Sequence, residues 1–158
     1  MKKRIYLLVF LLSVSAILTY YFIGYENLEP SEAAVPSFWS LSPTTRLMAR
    51  TISAEARGEP FVGQVAVGAV IMNRVRNSKF PNTISGVIYQ PWAFTAVARG
   101  HIWSHTPNST SIRAAISALN GWDPTYGSIY YYNPAGVSTY WIYSRNVVRR
   151  IGKHIFAR

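Results

Sequence analysis

Three carboxylates carry whatever acid–base chemistry the larger part of this chain can do with Asp or Glu. From Leu41 onward the only acidic side chains are Glu55, Glu59 and Asp123. Glu55 and Glu59 flank a helix break in Ala54-Glu55-Ala56-Arg57-Gly58-Glu59-Pro60, and the two sides of that break treat negative charge oppositely. Glu55 falls in the last turn of the preceding helix, where the macrodipole opposes a negative charge and suits a proton donor. Glu59 precedes the next helix, whose free N–H groups suit a charged cap. Spacing alone leaves two readings of Glu55 open: a general acid, or a surface residue paired with a nearby arginine. Glu59, with Arg57 beside it, reads as a structural neighbour of the site, and Asp123 before Pro124 as a turn cap.

Other chemistries find little support. His101 and His105 are four apart, a spacing that can bind zinc, but the Glu of a metalloprotease helix is missing and both fall in an expected loop, so they read as surface residues. His154 reads as a surface or packing residue. There is no G-x-S-x-G, no glycine-rich phosphate loop and no cysteine, which excludes disulfides and thiolate metal sites. The aromatics are more telling. Phe94, Tyr131, Asn133 and Trp141 belong to clusters whose ring faces suit sugar rings and whose polar tips suit hydroxyls and amides, making them candidate substrate-binding residues; core packing claims about half of the cluster.

The elements that must position these groups follow from pattern and punctuation. A helix is expected over about 45–57, opened by a Thr cap after Pro43 and ended by Gly58. A second, over about 60–76, is apolar nearly all round and belongs in the middle of the core. A short helix near 84–89 and another over 109–120 follow. Residues 129–132 and 140–143 read as strands, and 147–156 as a helical turn and a last strand. In an alternating strand Tyr131 faces one way and Tyr130 and Tyr132 the other. The sum is an α+β domain, dominated by helices, with a small late sheet.

Upstream, Lys2, Lys3 and Arg4 precede an apolar run over 5–23 with no acidic or basic side chain. At roughly 1.5 Å per residue the run reaches about 28 Å, close to a bilayer's hydrocarbon thickness. The basic flank keeps that end in the cytoplasm and exports the rest. Residues 1–23 are therefore expected to be a signal anchor or signal peptide, with the uncleaved anchor favoured. Residues 24–43, with three prolines and three glutamates, form a linker, and 44–158 the functional domain. Phe38, Trp39 and Leu41 are expected to pack on that domain. Of sixteen Lys and Arg, thirteen lie from Leu41 onward, a field that attracts polyanions. Nucleic acid is the usual partner of such a field. An exported domain meets the anionic cell wall first, solubility alone is the plainer reading, and charge by itself does not separate these; no nucleic-acid partner is expected.

From about Arg46 to Phe156 the sequence resembles the catalytic domain of the spore cortex-lytic enzymes and related bacterial cell-wall hydrolases. The resemblance rests on AEARGEP (54–60), GQVAVGAVIMNR (63–74), FPNTISGVIYQP (80–91), FTAV (94–97), NGWDP (120–124), YYYNP (130–134), WIYSR (141–145) and RIGKHIF (150–156). Ala54 and Trp92 depart from it, standing where such proteins often have Gly. The resemblance implies a lysozyme-like or lytic-transglycosylase-like fold, with a single essential glutamate that falls on Glu55. It also implies cleavage of peptidoglycan between N-acetylmuramic acid and N-acetylglucosamine, without metal or cofactor. A lytic transglycosylase is the preferred route, with a role in spore cortex lysis or sporulation. A muramidase using water, and a non-catalytic wall-binding protein of the same fold, are the alternatives. The expected partners are peptidoglycan and, through the N-terminal helix, the membrane.

Overall fold

The computed structural model describes residues 35–137 and 140–158. The expected anchor over 1–23 and most of the expected linker lie outside these residues. Among the described residues no helix is long and apolar enough to cross a membrane.

Five helices build one layer: α1 (Pro43–Ala56), α2 (Phe61–Val75), α3 (Ile84–Ile88), α4 (Thr95–Ala98) and α5 (Ser109–Leu119). Side-chain caps set the starts of α1, α3 and α5. Ser42 accepts from the Thr45 N–H at 3.1 Å with Pro43 in the first turn, two residues ahead of the expected Thr cap. Thr83 accepts from Gly86 N and Asn108 from Ser111 N. As its all-round apolar sequence predicts, α2 is buried without interruption from Gly63 to Ile71. It packs between α1 and α5. A Cβ on Gly68 would sit 2.7 Å from the Cβ of Ala118 and 2.9 Å from Ile52 Cδ1, so glycine is what lets the three helices close up there.

Three strands form the second layer: β1 (Tyr130–Tyr132), β2 (Val147–Ile151) and β3 (His154–Ala157). The sheet is antiparallel in the order β1-β3-β2, with Tyr131 opposite Phe156 and Ile151 opposite His154. Phe156, Ile151 and Tyr131 pack onto Ala66 and Val70 of α2, which fixes the sheet against the helices. Two expectations need correction. Residues 140–143 are not a strand but part of a 3-10 turn, Tyr140–Ser144, which sets Trp141 and Tyr143 edge-on against Tyr130 and Tyr132 of β1. Residues 147–151, expected as a helical turn, supply the edge strand instead.

Phe38 and Leu41 pack on the core as expected. Trp39 does not: it is 67% exposed and meets only the edge of Phe38, at 5.1 Å between centroids.

Candidate functional site

Glu55 ends α1 with its carboxylate turned toward two other elements. Oε1 accepts from the backbone N–H of Ala96 in α4 at 2.8 Å, and Oε2 accepts from the Tyr131 hydroxyl of β1 at 3.0 Å. Among the described residues its bonds go to these two groups rather than to the surface arginine left open by spacing. Of its two partners, the N–H can only donate, while the phenol can donate or accept.

Tyr131 is held from several sides. Its ring stacks on Phe156 and stands edge-on to His154, with centroids 6.0 and 5.2 Å away. Burial of the hydroxyl pushes its pKa well above the ordinary value near 10, helped by the charge of Glu55 and the hydrogen bond to it, and opposed by Arg74. The phenol therefore keeps its proton and serves as a neutral partner.

These groups line an opening of about 250 Å³ with Thr95, Asn133 and His154. An adjoining opening of about 370 Å³ is walled by aromatics, among them Phe80, Trp92, Tyr130 and Trp141. The two share Arg74, Ala93, Tyr131, Tyr132 and Val137, so they make one continuous groove. A third opening of about 350 Å³ beside Phe38, Trp39 and Trp103 has no carboxylate or histidine in its walls.

The sequence candidates sort cleanly. Glu55, Tyr131, Asn133 and Trp141 all face the groove. Phe94 does not: at 2% exposure it is a core residue, with its ring centre 6.4 Å from that of Tyr131. Arg57 is exposed and caps the C-terminal end of α1. Glu59 holds the β2–β3 hairpin: its Oε2 accepts from Lys153 N at 2.8 Å, and its carboxylate stands where a Cβ on Gly152 would be. Asp123 caps its turn, accepting from Thr125 N and Oγ1, Gly127 N and Asn73 Nδ2. Burial alone would raise its carboxyl pKa, but these bonds together outweigh it and pull the group below the usual range. His101 is exposed, as expected. His105 is half-buried, bonded through Nε2 to Ser53 Oγ at 3.0 Å. Among the described residues no group of His, Cys, Asp and Glu is placed to hold a metal.

Sequence reasoning missed two groove residues. Arg74, buried in the last turn of α2, donates through Nε to Ile129 O at 2.7 Å. Its guanidinium lies 5.2 and 5.3 Å from the rings of Phe80 and Phe94. Burial lowers its pKa, while Tyr131 and Tyr130 act to raise it. The all-apolar face of its helix gave no sign of a functional end. His154, read as a surface or packing residue, is 7% exposed and lines the opening beside Glu55, with Nδ1 enclosed and unpartnered. Burial lowers its pKa against the pull of Glu59 and Glu55, and Lys153 adds to the lowering.

A family model described as Cell Wall Hydrolase matches residues 58–157, beginning three residues after Glu55. The spore cortex-lytic enzyme of Bacillus cereus is 50% identical over 135 residues, which cover 84% of this chain and 51% of that protein. The chain thus spans about half the length of that relative. Cell wall hydrolase CwlJ of Bacillus subtilis is 36% identical over 116 residues, covering 70% of this chain and 81% of that protein. Among solved structures, the catalytic domain of the germination-specific lytic transglycosylase SleB from Bacillus anthracis superposes with a TM-score of 0.70 at 50% identity. The match covers 78% of this chain and 100% of that one.

Proposed function

Because the chain belongs to the cell wall hydrolase family, we propose that it cleaves the glycan strands of peptidoglycan between N-acetylmuramic acid and N-acetylglucosamine as a lytic transglycosylase. The observation that carries this reading is Glu55 as the lone Asp or Glu among the described walls of the groove. Direct hydrolysis ordinarily uses a second carboxylate at a set distance. Here Glu59 is engaged with the hairpin backbone and Asp123 with its own turn. A nucleophile contained in the substrate removes the need for a second one.

The bonding around Glu55 suits both halves of such a reaction. Because the Ala96 N–H can only donate to Oε1, a proton on the acid rides on Oε2, where the Tyr131 hydroxyl can turn to accept. That proton goes to the bridging oxygen as the glycosidic C–O bond breaks. The muramic C6 hydroxyl then bonds to the anomeric carbon, and its proton returns to Oε2. The product ends in a 1,6-anhydro ring, and no water is consumed. Asn133 and Trp141 bind sugar in the groove. The substrate lies outside the cytoplasm, and we read residues 1–23 as the segment that exports and anchors the domain. Cortex breakdown in spores is the setting that the relatives' names support.

Glu55→Gln keeps the hydrogen-bonding shape and removes the acid, so glycan cleavage is lost while glycan binding stays. Unchanged cleavage by this variant rejects the assignment. Mass spectrometry of the released muropeptides decides the route, since an anhydro end is lighter than a reducing end by one water.

A further inference from the structure

Among the described residues, only two that are not glycine hold a positive φ: Trp92 at 63° and Tyr126 at 54°. For a bulky L-residue this backbone is strained, because Cβ crowds the following carbonyl oxygen. Tyr126 has local compensation, with the Arg149 guanidinium over its ring at 5.5 Å and Arg158 donating to its carbonyl. Trp92 has none in the core, since its side chain is 91% exposed. Left-handed backbone at this position also explains physically why glycine suits it. A strained residue whose side chain stabilises nothing within the fold is a marker of function.

The indole stands in the wall of the aromatic half of the groove, with Tyr130 and Trp141, the latter 53% exposed. In the same wall Gln90 holds its side-chain carbonyl oxygen out of water without a partner, the kind of acceptor that a ligand hydroxyl or amide N–H would satisfy. We propose that Trp92 is a substrate-binding residue whose indole face stacks on a sugar ring of the glycan strand, next to the ring cleaved at Glu55. The inference rests on the reading that a glycan fills the groove. The apolar C–H face of a pyranose covers the indole, and its hydroxyl and acetamide edges reach Gln90 and water. Because Trp92 lines the opening that lacks Glu55, it grips the strand equally before and during bond breaking. Its loss therefore falls on KM rather than kcat.

Trp92→Gly tests this because stability and binding move in opposite directions. Removing the ring relieves the backbone, so the thermal midpoint stays or rises. Affinity for peptide-free N-acetylglucosamine–N-acetylmuramic acid oligosaccharides falls by about five- to tenfold, as does kcat/KM. Trp92→Phe keeps a stacking face and most of the affinity. Calorimetry in a Glu55→Gln background reads binding without turnover. A lowered midpoint with unchanged affinity overturns the proposal and makes Trp92 a fold residue. If Glu55→Gln still cleaves while Trp92→Gly binds weakly, the acid assignment falls and the stacking role stands. If Glu55→Gln is dead and Trp92→Gly binds normally, the reverse holds.

Discussion

The hydroxyl of Tyr131 reaches Oε2 of Glu55 across 3.0 Å and 76 positions of sequence. That bond ties the end of α1 to the first strand of the sheet. It also gives the carboxyl a partner able to serve either protonation state.

Tyr131→Phe removes the hydroxyl and keeps the ring that stacks on Phe156. The fold should persist and glycan binding should change little, while kcat/KM falls about 10- to 100-fold, as for loss of a hydrogen bond to a charged group. Steady-state release of muropeptides, with the thermal midpoint as a control, checks this. A variant as active as the parent would show that Ala96 alone positions the acid.

The contact between Glu59 and the β2–β3 turn predicts a coupled pair. Gly152 has φ 56°, and a methyl group there meets the Glu59 carboxylate. Gly152→Ala is expected to cost about 1–3 kcal/mol through backbone strain and collision. Glu59→Ala costs about 1–2 kcal/mol through the lost bond to Lys153 N. The double variant should be less destabilised than the sum, because the collision is gone. Urea unfolding of all four proteins measures the coupling, and strict additivity would show that the carboxylate does not shape the turn.

His154 predicts a pH dependence of stability. Burial sets its folded-state pKa below the ordinary value of about 6.5, despite the nearby charges of Glu59 and Glu55 and with the help of Lys153. Unfolding lets the ring take a proton. Its contribution is fully present above about pH 6.5 and is lost as pH falls from there through the folded-state value. The Asp123 carboxyl titrates in a window below about 3.9, well separated from this one. The fall in thermal midpoint between about pH 7.5 and pH 5.5 should therefore be smaller in His154→Gln than in the parent. An equal fall in both would assign the effect to other groups.

The sequence made four of the five helices legible because their signals are local, such as the mostly apolar run from Val62 to Val75 and Gly58 after α1; the four-residue α4 went unread among the Pro and Gly of 77–108. Scarce acids narrowed the candidates to Glu55, Glu59 and Asp123, and the resemblance carried by AEARGEP and the other motifs singled out Glu55. What the sequence could not yield depends on tertiary pairing or on backbone angles. His154 looks like any late histidine until β3 pairs with β1 and sets it against Tyr131. Phe94 looked like a groove aromatic because ring chemistry does not say which rings the core will claim. The 140–143 segment has strand composition, but its rings pack on Tyr130 and Tyr132 from a 3-10 turn, a tertiary contact that composition does not show. For Trp92 the one mark of a left-handed backbone is that it stands where similar proteins often have Gly.

The sheet order has a consequence for timing. β3 is translated after both of its neighbours and yet lies between them, so neither β1 nor β2 has a sheet partner until it arrives. Tyr131 is on β1, and its docking against Glu55 therefore waits for the latest-made strand. Until β3 is in place, Glu55 stands without its tyrosine partner, so the pair forms only once the sheet has.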